Sequence, residues 1–145
     1  MHNPDPLAVE RRRSDLAKRL VRQLAAAVND RQLDAIDDLV ASTYRHCAPG
    51  HPLTLEELKD LNRALYAGFP DIRWHILELV AEGDVVVAFW RMSGTHRGRF
   101  MGRPASGTPV SVTGVNSYRI TEGKIAEDTP HWAFSALLDQ LTPLA

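Results

Sequence analysis

Gly68-Phe69-Pro70-Asp71, then Ile72-Arg73-Trp74-His75-Ile76, Glu82-Gly83-Asp84 and Val85-Val86-Val87-Ala88-Phe89-Trp90-Arg91-Met92-Ser93, is the stretch that decides the fold. Upstream of it, apolar residues recur at helical spacing; downstream they recur at every second position. Gly68 ends the preceding helix and Pro70 prevents its resumption. Ile72, Trp74 and Ile76 then alternate with Arg73 and His75, a turn falls at 82–84, and 85–93 reads as a buried strand. Two antiparallel strands are the expectation.

Working outward toward the N-terminus, Thr54-x-x-Glu57 is a capping-box pattern, which starts a helix near Leu55 that carries Leu58, Leu61, Leu65 and Phe69 on one face. Leu33, Ile36, Leu39 and Val40 predict a shorter helix from about Asp30. Leu16, Leu20, Leu24 and Val28 predict a first amphipathic helix, closed by Asn29-Asp30. Residues 1–10, with two prolines, read as a flexible leader. Toward the C-terminus, Val110 to Ile120 shows β-branched alternation, Thr121-Glu122-Gly123 makes a tight turn, and Lys124 to about Thr129 returns as a partner strand. Pro130 limits its pairing, and Ala133 to Leu141 reads as a closing helix. Gly94 to Thr108 holds four of the nine glycines together with Arg97, Arg99 and Arg103, the composition of a long mobile loop beside a pocket. Three helices followed by a meander predict one α+β domain over residues 1–145, its helices covering one face of a curved antiparallel or mixed sheet.

Seventeen basic and eighteen acidic side chains in 145 residues leave a net charge of −1, which provides no global attraction to nucleic acid or anionic lipid. Arg11-Arg12-Arg13, Lys18, Arg19 and Arg22, interspersed with Glu10 and Asp15, read as a solvated helix face. The longest apolar run, Val85 to Trp90, is far below the roughly 20 residues of a membrane span. The start lacks the basic and then apolar pattern of a secretory signal, and the lone Cys47 has no internal disulfide partner; both fit a cytoplasmic protein. Three tryptophans suit either a core or a pocket for a greasy ligand.

Leu39-Val40-Ala41 with Tyr44, Phe69-Pro70-Asp71, Glu82-Gly83-Asp84, Gly94-Thr95-His96-Arg97-Gly98, Tyr118-Arg119-Ile120 and Glu122-Gly123-Lys124-Ile125 together resemble the SnoaL-like polyketide cyclases of the nuclear-transport-factor-2-like superfamily, over about residues 16 to 141. The resemblance implies a cone-shaped α+β barrel enclosing a deep apolar pocket, and a homodimer through the outer face of the sheet. It also implies ring closure by intramolecular aldol chemistry without metal or organic cofactor. The family's acid/base aspartate falls on Pro130 and its assisting histidine on Asn116, and neither side chain moves a proton as that reaction requires. Glu127 or Asp128 is a substitute carboxylate, and strand alternation turns only one of the two toward the pocket.

His96 lies at the Gly-Thr-His position, which in some members assists ring closure onto an epoxide, so His96, Asn116 and Glu127 are the catalytic candidates. Tyr44, Trp74, Trp90, Tyr118 and Trp132 are the candidate substrate-binding residues. His46 beside Cys47 does not form a nucleophile pair, because adjacent residues in an extended segment point opposite ways. The histidines lack the spacing of a metal site. These readings converge on a cofactor-independent cyclase of lyase or isomerase type, acting on a hydrophobic polyketide-derived substrate in antibiotic biosynthesis. With no carboxylate at position 130, positioning alone is expected to drive the closure, as in a [4+2] cycloaddition. The alternatives are aldol or epoxide-opening chemistry through His96 and Glu127 or Asp128, and a non-catalytic dimer that binds a small lipophile.

Overall fold

The computed structural model describes residues 3–144. Helix α1 spans Pro6–Asn29, a 3-10 segment Leu33–Asp38, strand β1 Val40–His46, α2 Leu55–Gly68, β2 Arg73–Glu82, β3 Val85–Thr95, β4 Pro109–Thr121, β5 Lys124–Pro130 and α3 Ser135–Leu138. The strands form one mixed sheet in the order β1-β5-β4-β3-β2, with β1 parallel to β5 and every other pair antiparallel. The sheet is open, with β1 and β2 as its edges, rather than a closed barrel. No described helix is long and apolar enough to cross a membrane.

Several boundaries differ from the sequence reading. The expected leader already contains the first turn of α1, because Asp5 caps it by accepting from the Leu7 amide and Pro6 occupies a position where a missing N–H costs nothing. The second helix is a 3-10 segment, too short for an α-helical stripe. It is tied to α2 by Lys59, only 2% exposed, whose ammonium donates to Asp37 at 2.7 Å and Asp34 at 3.2 Å. Leu39 and Val40, read as part of that helix, leave it: Leu39 caps the 3-10 segment and Val40 opens β1. The tail helix shrinks to four residues. The capping box of α2 forms as expected: Thr54 accepts from the Glu57 amide at 3.2 Å, and the Glu57 carboxylate from the Thr54 amide at 3.1 Å.

Burial organises these elements into two apolar clusters. One packs Leu20, Val21 and Leu24 of α1 against Ile36, Val86 and Ile125. The other gathers Phe69, Phe100, Met92 and Leu137. Each fully buried aliphatic side chain contributes about 1.5–3 kcal/mol. Asn29 closes the seam between α1 and β2, since its side chain accepts from the Trp74 amide and donates to the Trp74 carbonyl as a neighbouring strand would.

The Gly94–Thr108 stretch begins as the end of β3 and continues as a loop that buries His96 and Phe100. Its base is pinned where the Arg97 and Gly98 amides both donate to the Gly68 carbonyl at 3.0 Å. Only glycine fits at 98, because a Cβ there would collide with the Ala67 carbonyl.

Two bulges set which residues face inward. Leu77 is the extra residue in β2 and Ala126 the extra residue in β5, since Ile125 pairs with Ile120 while Glu127 pairs with Arg119. Strict alternation would place Ile125 and Glu127 on one face. The extra residue instead turns Asp128 and Pro130 to the Ile125 side and Glu127 outward.

Candidate active site

Between the two clusters lies a cavity of about 860 Å³. Its sheet wall is built from inward-facing positions: Trp74 and Ile76 on β2, Ala88, Trp90 and Met92 on β3, Asn116 and Tyr118 on β4, Asp128 and Pro130 on β5, and His46 at the end of β1. Val21, Leu24, Ala25 and Val28 of α1 and Leu58, Leu61 and Leu65 of α2 supply the opposite wall. Trp74 packs edge-on against Trp90 at 4.8 Å, and Trp90 against Trp132 at 5.1 Å, so the tryptophans form one continuous apolar surface. Gly114 makes room for it, because a Cβ there would overlap the Trp90 indole.

Four polar side chains of the cavity wall and its backing, His46, Asn116, Trp90 and Tyr44, join in one network centred on Asp128, which is 4% exposed. Asp128 Oδ2 accepts from the Tyr44 hydroxyl at 3.2 Å and lies 3.1 Å from His46 Nδ1. Asp128 Oδ1 accepts from Asn116 Nδ2 at 2.7 Å, and Asn116 Oδ1 in turn accepts from Trp90 Nε1 at 3.0 Å. The direction of this chain is fixed, because an indole N–H only donates and a carboxylate only accepts. A carboxylate beside Nδ1 selects the tautomer with its proton on Nδ1, leaving the Nε2 lone pair free to exchange a proton.

Burial raises the Tyr44 hydroxyl far above the ordinary phenol range, and the neighbouring Asp128 raises it further. Tyr118 is raised by the same two causes in the same order. Both phenols therefore stay protonated. Tyr44 spends its proton on Asp128 from behind the cavity wall. The Tyr118 side chain lines the cavity, and its hydroxyl makes no hydrogen bond among the described residues.

Of the residues singled out in the sequence, Asn116, Trp74, Trp90, Tyr118 and Trp132 all line the cavity. Tyr44 supports Asp128 without lining it. Glu127 does not belong to the site: it faces outward beside Arg119, at 3.7 Å, because of the Ala126 bulge. Asp128 is the carboxylate that enters. His96 is also outside the cavity lining. It is fully buried against Phe69, with Nδ1 3.0 Å from the Ser106 hydroxyl and Nε2 without a partner among the described residues. His46, which the sequence reading weighs only beside Cys47, lines the cavity and meets Asp128. Weighed with Cys47 it carries nothing; weighed with Tyr44, two residues away on the same strand, it shares a face with a second polar side chain.

An open mixed sheet with helices packed on one face and a deep apolar cavity between them is the nuclear-transport-factor-2 or ketosteroid-isomerase-like fold, the class that fold and site define together. The profile for SnoaL-like polyketide cyclases matches residues 18–141, and the chain belongs to that family. Among solved structures it is similar to AclR from Streptomyces galilaeus, named as a candidate hydroxylase, at 26% identity and a TM-score of 0.77, with 85% of this chain and 82% of that one covered. IdmH from Streptomyces antibioticus, named as a candidate polyketide cyclase, matches at 26% identity and 0.76, covering 86% and 96%. A SnoaL-like protein from Jannaschia sp. CCS1 covers 100% of both chains at 21% identity and 0.80, a likeness of fold. None of the curated proteins matches the sequence.

Proposed function

We propose that this protein is a ring-closing enzyme for a hydrophobic, polyketide-derived substrate, and that it works by proton transfer at the His46–Asp128 pair. The observation that carries this reading is the 3.1 Å contact of Asp128 with His46 Nδ1 inside a largely apolar cavity. The reading by positioning alone rested on the missing carboxylate at 130, and Asp128 supplies a carboxylate two residues earlier.

In the reaction, His46 Nε2 removes a proton from a carbon flanked by carbonyl groups. The enolate carbon attacks a second carbonyl of the same substrate, forming the new carbon–carbon bond. The imidazolium then returns its proton to the alkoxide, so the product is an isomer of the substrate. Asp128 holds the imidazole and offsets its positive charge, and the Tyr118 hydroxyl donates to the oxygen on which negative charge develops. No cofactor enters this scheme. The three tryptophans hold the chain folded for attack, a contribution of several kcal/mol through orientation.

The outer face of the sheet carries Val80 paired with Val87 and Phe89 paired with Val115, and Val80 and Phe89 are exposed. This apolar stripe supports a homodimer through the sheet, which Phe89→Lys would convert to monomer in sedimentation.

The enzymatic test uses a linear aromatic polyketone with a β-keto ester arm, its cyclised isomer followed by chiral chromatography. His46→Ala and Asp128→Asn are each expected to lower turnover about 10²–10⁴-fold. Parental rates in both variants would return the account to positioning alone.

A further inference from the structure

The near-zero net charge conceals a strong asymmetry. Residues 11–22 hold six cations, Arg11, Arg12, Arg13, Lys18, Arg19 and Arg22, against the single carboxylate Asp15; the other 133 residues hold eleven cations and seventeen carboxylates. One segment thus carries +5 and the remainder −6. At 100° per residue, Arg11, Arg12, Lys18, Arg19 and Arg22 fall within an arc of about 120° opposite the buried Ala17, Leu20 and Leu24, over about 16 Å of helix; Asp15 lies at the centre of that arc, leaving it a net +4, and Arg13 lies outside it. The arginines are exposed, and none of the six cations forms an ion pair among the described residues. Other cations of the chain do find carboxylates, as Lys59, Arg63 and Arg119 show.

We infer that this face of α1 docks the acidic helical surface of a carrier domain that brings the substrate to the cavity as a thioester. Charge complementarity and dimensions support this occupant: the stripe is one helix face wide and three turns long, the footprint of a helix laid against a helix. An extended polyanion fits poorly, since the −6 on the rest of the chain repels it. A lipid surface fits poorly too. The exposed apolar residues of α1 are Leu7, Val9 and Leu16; Val9 and Leu16 lie within about 20° of each other beside the stripe and Leu7 lies on the far side, two neighbouring side chains where a helix lying in a lipid surface carries a broad apolar face. Val21, Leu24, Ala25 and Val28 line the cavity from the other face of the same helix, so a partner on the stripe sits one helix diameter, about 10 Å, behind the substrate wall, a distance that a flexible thioester arm has to span. What is delivered rests on the cyclase reading; the docking itself does not.

The experiment measures fluorescence anisotropy of a labelled, strongly acidic holo acyl carrier domain titrated with the full chain, and with the variant Arg11→Gln, Arg12→Gln, Arg19→Gln, Arg22→Gln. Glutamine keeps helix propensity nearly unchanged, and circular dichroism confirms folding. The expected result is saturable binding that weakens at least about tenfold in the variant and about tenfold again from low to high salt. Absence of binding, equal affinity in the variant, or tighter binding of duplex DNA or of anionic phospholipid vesicles would overturn the inference. Anisotropy involves no chemistry, so turnover of free substrate by the parent protein reports separately on the cyclase reading.

Discussion

Replacing Asp128 by asparagine changes almost no volume, yet the hydrogen-bond chain has no place for the new amide. The carboxylate accepts from Tyr44, His46 and Asn116. An asparagine with its oxygen toward Tyr44 and His46 turns its NH₂ onto Asn116 Nδ2, donor against donor at 2.7 Å. Flipping Asn116 relieves that clash and sets its own NH₂ against Trp90 Nε1, which cannot accept. The opposite orientation lets the new amide donate to His46 Nδ1, which accepts in its other tautomer, but leaves the Tyr44 O–H without an acceptor. One buried donor is left unpaired in every arrangement, at a cost of about 1–3 kcal/mol. For a chain of this size that is a fall in melting temperature of about 3 °C per kcal/mol. The exchanged pair Asp128→Asn with Asn116→Asp repairs the defect. The carboxylate moved to position 116 would accept from Trp90 and from the amide NH₂ now at position 128, while the oxygen of that amide would accept from Tyr44 and His46. Thermal denaturation of the two single variants and the double variant, read as a double-mutant cycle, should give a favourable coupling of about 1–3 kcal/mol. Turnover should stay low in the double variant, because the charge no longer adjoins His46. An Asp128→Asn protein as stable as the parent, or an exchanged pair no more stable than the single variants, would refute the directed network.

His96→Phe and Glu127→Gln should retain turnover within about twofold, and Glu127→Gln should stay within about 0.5 kcal/mol of parental stability, as an exposed pair with Arg119 allows; a folded variant of either kind with tenfold lower turnover would return that residue to the site. Gly114→Ala should destabilise by about 1–3 kcal/mol, measured in urea, because the methyl group displaces the Trp90 indole. All three tyrosines have raised values, Tyr44 and Tyr118 by burial and then Asp128, Tyr66 by burial opposed in part by Arg31. The unfolded chain ionises its phenols near pH 10 while the folded one keeps them protonated, so this stability is present below about pH 10 and is lost as pH rises above it. Phenolate absorbance should therefore appear together with the loss of helical dichroism; ionisation of the tyrosines in protein that is still folded would contradict the burial.

The helix-to-strand transition at Gly68–Pro70, the capping box at Thr54 and the hairpin turn at Glu82-Gly83-Asp84 were readable because each depends on local chemistry and a period that a short window displays. Strand β1 was not, since Val40 and Leu39 extend the apolar spacing of the 3-10 segment and only pairing with β5 makes the segment a strand. The choice between Glu127 and Asp128 turned on one extra residue, Ala126, that no periodicity announces; it is visible only as a change of register against β4. The tryptophans are legible as candidates for the cavity wall from their large apolar rings, and Asn116 from the position of the family's histidine; alternation groups residues by face within a strand but does not say which face is inward. His46 escaped because its partner is 82 residues away, across a parallel pairing that brings β1 beside β5.

The central claim is that His46, oriented by Asp128, moves a proton in the cavity. Its most direct measurement is deuterium wash-in at the carbon between the carbonyls of an aryl β-keto ester that lacks a second electrophilic carbonyl, so that it can enolise but cannot close a ring. The parent protein in D₂O is predicted to accelerate exchange well above the buffer rate, and His46→Gln to lose that acceleration while still binding the ester. An equal exchange rate with parent protein, with His46→Gln and with buffer alone would contradict it.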